Sequence, residues 1–137
     1  MKVIPALEPA DMPEIKHLAT SFDLDCEDFS WKQFLVAKKN GIIIGFGRLR
    51  TYPVCTELAT VGVVPELRNR GVGKAITNEL IRIGPNEIFV TCVIPDFFKK
   101  FGFKPVKDYP LVLEKKVDFC KSYNFKDENI FVMKLVK

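Results

Sequence analysis

Apolar and polar positions change period several times along this chain, and each change predicts an element. Residues 3–7 are an apolar run closed by Glu8 and Pro9, read as a first strand. Asp11, followed by Pro13 and Glu14, has the pattern of a helix start, and Ile15, Leu18 and Ala19 then recur on one face to about Phe22. The acidic stretch 23–31 carries Phe29 and Trp31 and is expected to form a short helix, its aromatics packing on a sheet or covering a cleft. Residues 34–37, an Asn40-Gly41 turn and residues 42–46 read as a hairpin. In an extended strand beyond it, Phe46, Arg48, Arg50 and Tyr52 share one side, and Gly47, Leu49 and Thr51 the other.

Residues 58–64 are continuously apolar, as expected of an interior strand covered on both faces. Val72, Ile76, Leu80 and Ile83 then recur at helical spacing until Gly84-Pro85-Asn86, and residues 88–93 begin another interior strand. Strand, helix and strand in this order imply parallel neighbours with a right-handed crossover and a ligand at the strands' carboxyl ends. Residues 95–101 predict one or two helical turns stopped by Gly102, with an extended stretch near Pro105. Residues 110–123 predict an amphipathic helix burying Leu111, Val112, Val117 and Phe119, and residues 129–136 a last strand. The fold class is α/β with a mixed sheet.

The length of 137 residues fits a single domain. No run approaches the eighteen or so apolar residues of a membrane span, and the N-terminal stretch meets acids and prolines too early for a signal peptide, so a cytoplasmic protein is expected, with no membrane partner. Cys26, Cys55, Cys92 and Cys120 form no Cys-x-x-Cys pair, which argues for reduced thiols and against a metal site. The net charge of +4 suits a phosphorylated ligand, but its lysines are interleaved with acids, which argues against nucleic acid. His17, the single histidine, falls at the edge of a helical stripe and reads as a surface residue.

The chemistry gathers at Arg68, Asn69, Arg70, Gly71, Val72, Gly73 and Lys74, between the apolar strand and the helix. A turn feeding a helix start aims backbone N–H groups outward together, and the glycines admit a bulky phosphate. Arg68, Arg70 and Lys74 add positive charge. A Walker loop would need glycine at Arg68 and a hydroxyl at Ala75, and a dinucleotide fingerprint would need glycine or alanine at Ile76. The remaining pattern, Arg-x-x-Gly-x-Gly after Val63-Val64-Pro65, resembles the acetyl-CoA pyrophosphate loop of the GNAT superfamily of N-acetyltransferases. The strand IIIGFGRLR before it and DFFKKFGFKPV after it, ending a short helix in Gly-Phe, are similar to that family in order and spacing. Within it, residues 57–76 are most similar to amino-acid N-acetyltransferases of the N-acetylglutamate synthase type.

The resemblance implies a single N-acetyltransferase domain over residues 1–137, with a mostly antiparallel sheet whose parallel βαβ unit is splayed to hold CoA. It implies acetyl-CoA as donor, pantetheine against the strand bearing Val61, Val63 and Val64, and pyrophosphate on the loop. A backbone N–H near Val63 would polarise the acetyl carbonyl. Glu57 matches the family's glutamate general base, and partial burial would raise its pKa toward the working range; the other reading is a strand-end carboxylate paired with a lysine or arginine. Phe98 stands where many members carry a tyrosine that protonates the departing sulfur, and it has no proton to give. The expected acceptor is a small-molecule primary amine. An α-amino carboxylate would use Arg48 or Arg50, with Lys121 as a further candidate, whereas a polyamine would use Asp23, Asp25, Glu27 and Asp28. Phe98 also leaves open an acetyl-CoA-binding sensor that does not catalyse. Pairing of two copies through the terminal strands is common in the family and is left open by the sequence.

Overall fold

The structure, a computed structural model, describes residues 1–6 and 8–137, with side-chain surroundings for these residues apart from 8 and 9. Leu7, the last residue of the expected first strand, lies outside them. The strands are β1 (Lys2–Pro5), β2 (Phe34–Lys39), β3 (Ile42–Thr51), β4 (Thr56–Val63), β5 (Glu87–Cys92), β6 (Lys104–Pro105) and β7 (Phe131–Val136). The helices are α1 (Glu8–Ser21), α2 (Val72–Ile83), α3 (Pro95–Lys99) and α4 (Glu114–Ser122). The strands form one seven-stranded sheet in the order β1-β2-β3-β4-β5-β7-β6. The sheet is mixed as expected: β4 and β5 are parallel, registered at Glu57 with Phe89, and β1–β2, β2–β3, β5–β7 and β6–β7 are antiparallel. The chain divides into two compact units, Met1–Leu49 with Leu58–Ile83, and Arg50–Glu57 with Gly84–Lys137.

In the first unit, α1 places Ile15 and Ala19 in a core with Phe34, Val36, Ile43 and Phe46. The helix begins at Glu8, three residues before the expected start. Asp11 is therefore not a cap but a buried acid inside the helix, held 3.1 Å from the Lys38 ammonium. The expected helix over 23–31 is absent: Asp23 and Asp28 have φ of 57° and 53°, a left-handed backbone that a right-handed helix excludes. Asp25 instead accepts the Glu27 N–H at 2.9 Å, a local turn that competes with helix formation. A short 3₁₀ turn, Trp31–Gln33, follows. The hairpin forms as read, with Asn40 and Gly41 both at positive φ, the requirement of a two-residue turn matched to strand twist.

Gly45 and Gly47 face α2. A Cβ on Gly47 would lie 2.9 Å from Ile76 Cγ2 and 3.0 Å from Leu80 Cδ1, so glycine is what lets the helix sit so close to β3. Val72, Ile76 and Leu80 are buried as expected, joined by Thr77, whereas Ile83 at the end of the helix is half exposed.

In the second unit, β5 pairs along its length with β7, and Phe89, Leu113, Val117 and Val132 form the core. The single helix expected over 110–123 is a 3₁₀ turn, Leu111–Leu113, running into α4. The tighter turn directs Leu113 inward with Val117 and Cys120, and Leu111, an expected core residue, is exposed. Gly102, at φ 101°, ends the segment after α3 and brings Phe103 into the interior.

Two outcomes follow from this packing. Gly47→Ala should lower stability by about 1–3 kcal/mol through overpacking, read as a lower denaturant midpoint at unchanged slope. Burial pushes the Cys92 thiol up to about 11 from an ordinary 9.0, and the Glu114 carboxylate, which accepts from the Tyr109 hydroxyl, pushes that phenol up to about 12 from 10.0. The folded chain thus keeps both protons to higher pH than the unfolded chain, a contribution complete below about pH 9 and lost as pH rises through 11 and 12. Urea midpoints measured against pH should therefore fall above pH 9, less steeply in Cys92→Ala between 9 and 11.

Candidate active site

β4 carries chemistry at both ends. At its start Glu57 is 1% exposed, and the Tyr52 hydroxyl donates to its Oε1 at 3.1 Å. Tyr52 is brought back by a tight turn in which its N–H donates to the Cys55 carbonyl at 2.8 Å. The Arg50 guanidinium, 8% exposed, lies over the Tyr52 ring at 5.1 Å. Burial, and then the charge of Glu57, hold the half-buried Cys55 thiol above its ordinary value. The structure thus brings Glu57 and Arg50 together with Tyr52, which links them.

Arg48 does not join them. Its side chain is fully buried, with Nε donating to Thr60 Oγ1 at 2.9 Å and Nη1 to the Glu27 carbonyl at 2.9 Å, the Asp28 carbonyl at 3.3 Å and Gln33 Oε1 at 3.0 Å. Nη2 donates to the Asp25 carbonyl and lies 3.6 Å from Asp25 Oδ2, and the rings of Phe29 and Phe34 flank the guanidinium. The expectation that Arg48 meets an acceptor carboxylate is corrected: its cation is spent internally, because a guanidinium out of water needs its fork of N–H groups filled. The same contacts hold the segment 25–28, so Asp25, 6% exposed, is an internal partner rather than a surface anion; Asp23, Glu27 and Asp28 are exposed.

Thr60 explains the need for this clamp. It stands inside β4 at φ 55°, a conformation that costs a β-branched residue about 1–3 kcal/mol. Its hydroxyl accepts from Arg48 and donates to the Asp25 carbonyl at 3.0 Å, which holds the strained residue in place. After it the strand continues through half-buried Val61, buried Gly62 and half-buried Val63.

At the far end of β4 the Val64 N–H donates to the Ile44 carbonyl at 2.9 Å, and a 3₁₀ turn, Pro65–Leu67, leads into the loop. Arg68 is tied down: its Nε donates to the Val63 carbonyl at 2.9 Å, and its guanidinium covers the Phe22 ring at 4.9 Å. Asn69 and Gly71 take positive φ of 63° and 85°, and a Cβ on Gly71 would meet nothing within 4 Å. Gly71 is thus required by backbone conformation, with open space beside it. Val72 buries its side chain against Gly45, so only its backbone can face a ligand. The first intrahelical bond runs from the Ala75 N–H to the Gly71 carbonyl at 3.0 Å, so the amides before it on α2 have no acceptor within the helix. Exposed Arg70 and Lys74 flank them. This loop fits a pyrophosphate: open space at a glycine, convergent N–H donors and basic side chains.

Phe98 is 5% exposed in an aromatic group with Phe97 and Phe103, at ring separations of 5.0 and 5.7 Å. Of the three tyrosines, Tyr52 and Tyr109 donate to carboxylates and Tyr123 is exposed beside Phe119. Lys121 is paired with Asp127 on the surface of α4, which raises its pKa, and His17 is exposed on α1. Among the described residues no group of three His, Cys, Asp or Glu side chains could hold a metal, and no helix is long and apolar enough to cross a membrane.

The chain belongs to the acetyltransferase (GNAT) family, whose model matches residues 5–103. It is 33% identical over 84 residues to an uncharacterized N-acetyltransferase of Chlorobaculum tepidum, covering 57% of this chain and 54% of that protein. It is 25% identical over 138 residues to an amino-acid acetyltransferase of Mycobacterium tuberculosis, covering 89% and 79%. Among solved structures, a Mycobacterium tuberculosis protein in complex with CoA superposes with a TM-score of 0.78 at 24% identity, over 100% of this chain and 99% of that one. An N-acetylglutamate synthase from Neisseria gonorrhoeae, complexed with coenzyme A and N-acetyl-glutamate, gives 0.77 at 18% identity over 98% and 34%. The chain thus spans about half the length of the Chlorobaculum relative and a third of the gonococcal chain.

The clamp makes a stability prediction. Arg48→Met should cost about 3–5 kcal/mol in denaturant unfolding, because Asp25 and Thr60 lose their buried partner. Arg48→Lys should recover little of that loss, since one ammonium cannot reach all the acceptors of the fork.

Proposed function

We propose that this protein is a single-domain N-acetyltransferase that moves an acetyl group from acetyl-CoA to the primary amine of a small molecule by direct attack, with Glu57 as general base. The observation that carries the reading is β4 itself: a buried carboxylate at its start and, past its end, a glycine turn whose helix-start amides lack an acceptor within the helix. Acetyl-CoA, when bound, supplies a thioester whose carbonyl carbon accepts the amine and whose sulfur departs. Gly71, Val72, Gly73 and Lys74 would hold its pyrophosphate through backbone N–H groups, with Arg70 and the Lys74 side chain supplying charge. Asn69 shapes the turn, and Arg68, through its bond to the Val63 carbonyl, fixes the strand end along which Val61, Val63 and Val64 would meet pantetheine.

Glu57 takes the proton that makes an ammonium into a nucleophile, and its buried position keeps that carboxylate from being screened by bulk water. An amino acid as acceptor is supported by the likeness to the mycobacterial amino-acid acetyltransferase, with Arg50, whose guanidinium lies over the Tyr52 ring, as the proposed partner of its carboxylate. Because Phe98 carries no hydroxyl, the departing thiolate takes its proton from solvent or leaves without one. The same feature supports the competing reading, an acetyl-CoA-binding module without turnover. The protein is expected to work in the cytoplasm.

Thiol release measured over a panel of amino acids and polyamines decides between these readings. Turnover with amino acids is expected, and binding of CoA with no thiol released on any amine would favour the module. Glu57→Gln should lower kcat/KM near neutral pH by about 10²–10⁴ while keeping the CoA-induced rise in Tm; a rate within a few-fold of the parent would refute the base assignment.

A further inference from the structure

Glu57 is nearly inaccessible, yet it must be charged to accept a proton, and burial alone opposes that charge. Tyr52 meets it directly, its hydroxyl donating to Oε1 at 3.1 Å. Tyr52 is itself well fixed. Its N–H bonds the Cys55 carbonyl, its ring packs with Cys55 on the Phe89, Leu113, Val117 and Val132 core, and the Arg50 guanidinium covers its face. We propose that Tyr52 is the positioning residue of the acetyl-transfer reaction, its phenol holding the Glu57 carboxylate in one orientation and in the ionised form that takes the amine proton. The inference rests on the reading of Glu57 as base.

The argument is one of geometry and sign. A hydrogen bond to one carboxylate oxygen restrains rotation about the last side-chain bond and so directs the lone pairs. A donor to the charged form also favours ionisation, opposing the effect of burial. The other ionisable groups on the residues packed here are Arg50, over Tyr52; Cys55, whose thiol is held protonated by burial and by the charge of Glu57; Tyr109, bonded to Glu114; and Lys134, over Phe89 and 2.6 Å from Glu87. Of these, Arg50 acts with Tyr52, since a cation over the ring favours a negative neighbour. Phenylalanine keeps the ring, the turn and the cation contact, so Tyr52→Phe removes the donor alone.

The test measures the pH dependence of kcat/KM with the amine identified in the panel, together with a ¹³C-carboxyl NMR titration of glutamate-labelled protein in which the Glu57 resonance is assigned by its loss in Glu57→Gln. In Tyr52→Phe the acid limb and the Glu57 titration should both move to higher pH by about half to one unit. A purely structural role would lower stability or the plateau and leave the limb in place. A limb that disappears in Glu57→Gln but is unmoved in Tyr52→Phe, with an unmoved titration, would overturn the Tyr52 role and leave the base reading intact. A limb that survives in Glu57→Gln would overturn the base reading, and the Tyr52 role with it.

Discussion

The constraint on which the first unit turns is a β-branched residue held at positive φ inside an interior strand. Thr60 would not stay there unaided, because the left-handed region brings its Cβ against the backbone. Arg48 and the Asp25 carbonyl hold its hydroxyl, and Arg48 in turn gathers the irregular segment 25–28 by its carbonyl oxygens. A buried guanidinium is costly unless its donors are filled, and here a strand, a turn and a loop fill them. The cation therefore does not add stability from attraction alone. It makes three backbone segments depend on one another, so that the bend in β4 and the path of residues 25–28 persist together.

The residues beyond Thr60 inherit that bend. They lead through Val63 to a turn in which arginine, asparagine and two glycines each have a distinct mechanical task. Arg68 ties the strand end, Asn69 and Gly71 reverse the chain, and Gly73 enters the helix without a side chain. The positive end of α2 lies beside the exposed cations Arg70 and Lys74. At the opposite end of β4 the logic is inverted, since a carboxylate is kept from water and accepts from the Tyr52 phenol. An anion site and a buried anion on one strand are what the proposed acetyl transfer asks of this protein, the first to hold a phosphorylated donor and the second to receive a proton.

Much of this architecture was legible from local rules. The Asn40-Gly41 turn follows from the need for two positive φ values, the interior strand at 58–64 from a mainly apolar run, and α2 from its 3.6-residue period and the glycine turn before it. The turn before α2 was legible for the same reason: its backbone is set by chain geometry and needs no distant partner. The failures were equally local. The acids at 23–28 look like a helix start in sequence, but their short side chains bond neighbouring backbone and tolerate left-handed conformations, so they form turns. Leu111 was misplaced because a single 3₁₀ turn rotates the face that a continuous helix would bury.

What the sequence determined by itself, then, was the mixed α/β framework and the family, both encoded within spans of ten or twenty neighbouring residues. Only the tertiary structure decided the fate of the two arginines on β3. Their alternation makes them look equivalent, but Arg48 meets a loop some twenty residues away in the chain and is consumed by it, while Arg50 meets Tyr52 and comes beside Glu57. Whether a charged side chain serves the fold or a ligand depends on which acceptors surround it once the chain has packed, and that is a property of three-dimensional proximity rather than of period or spacing.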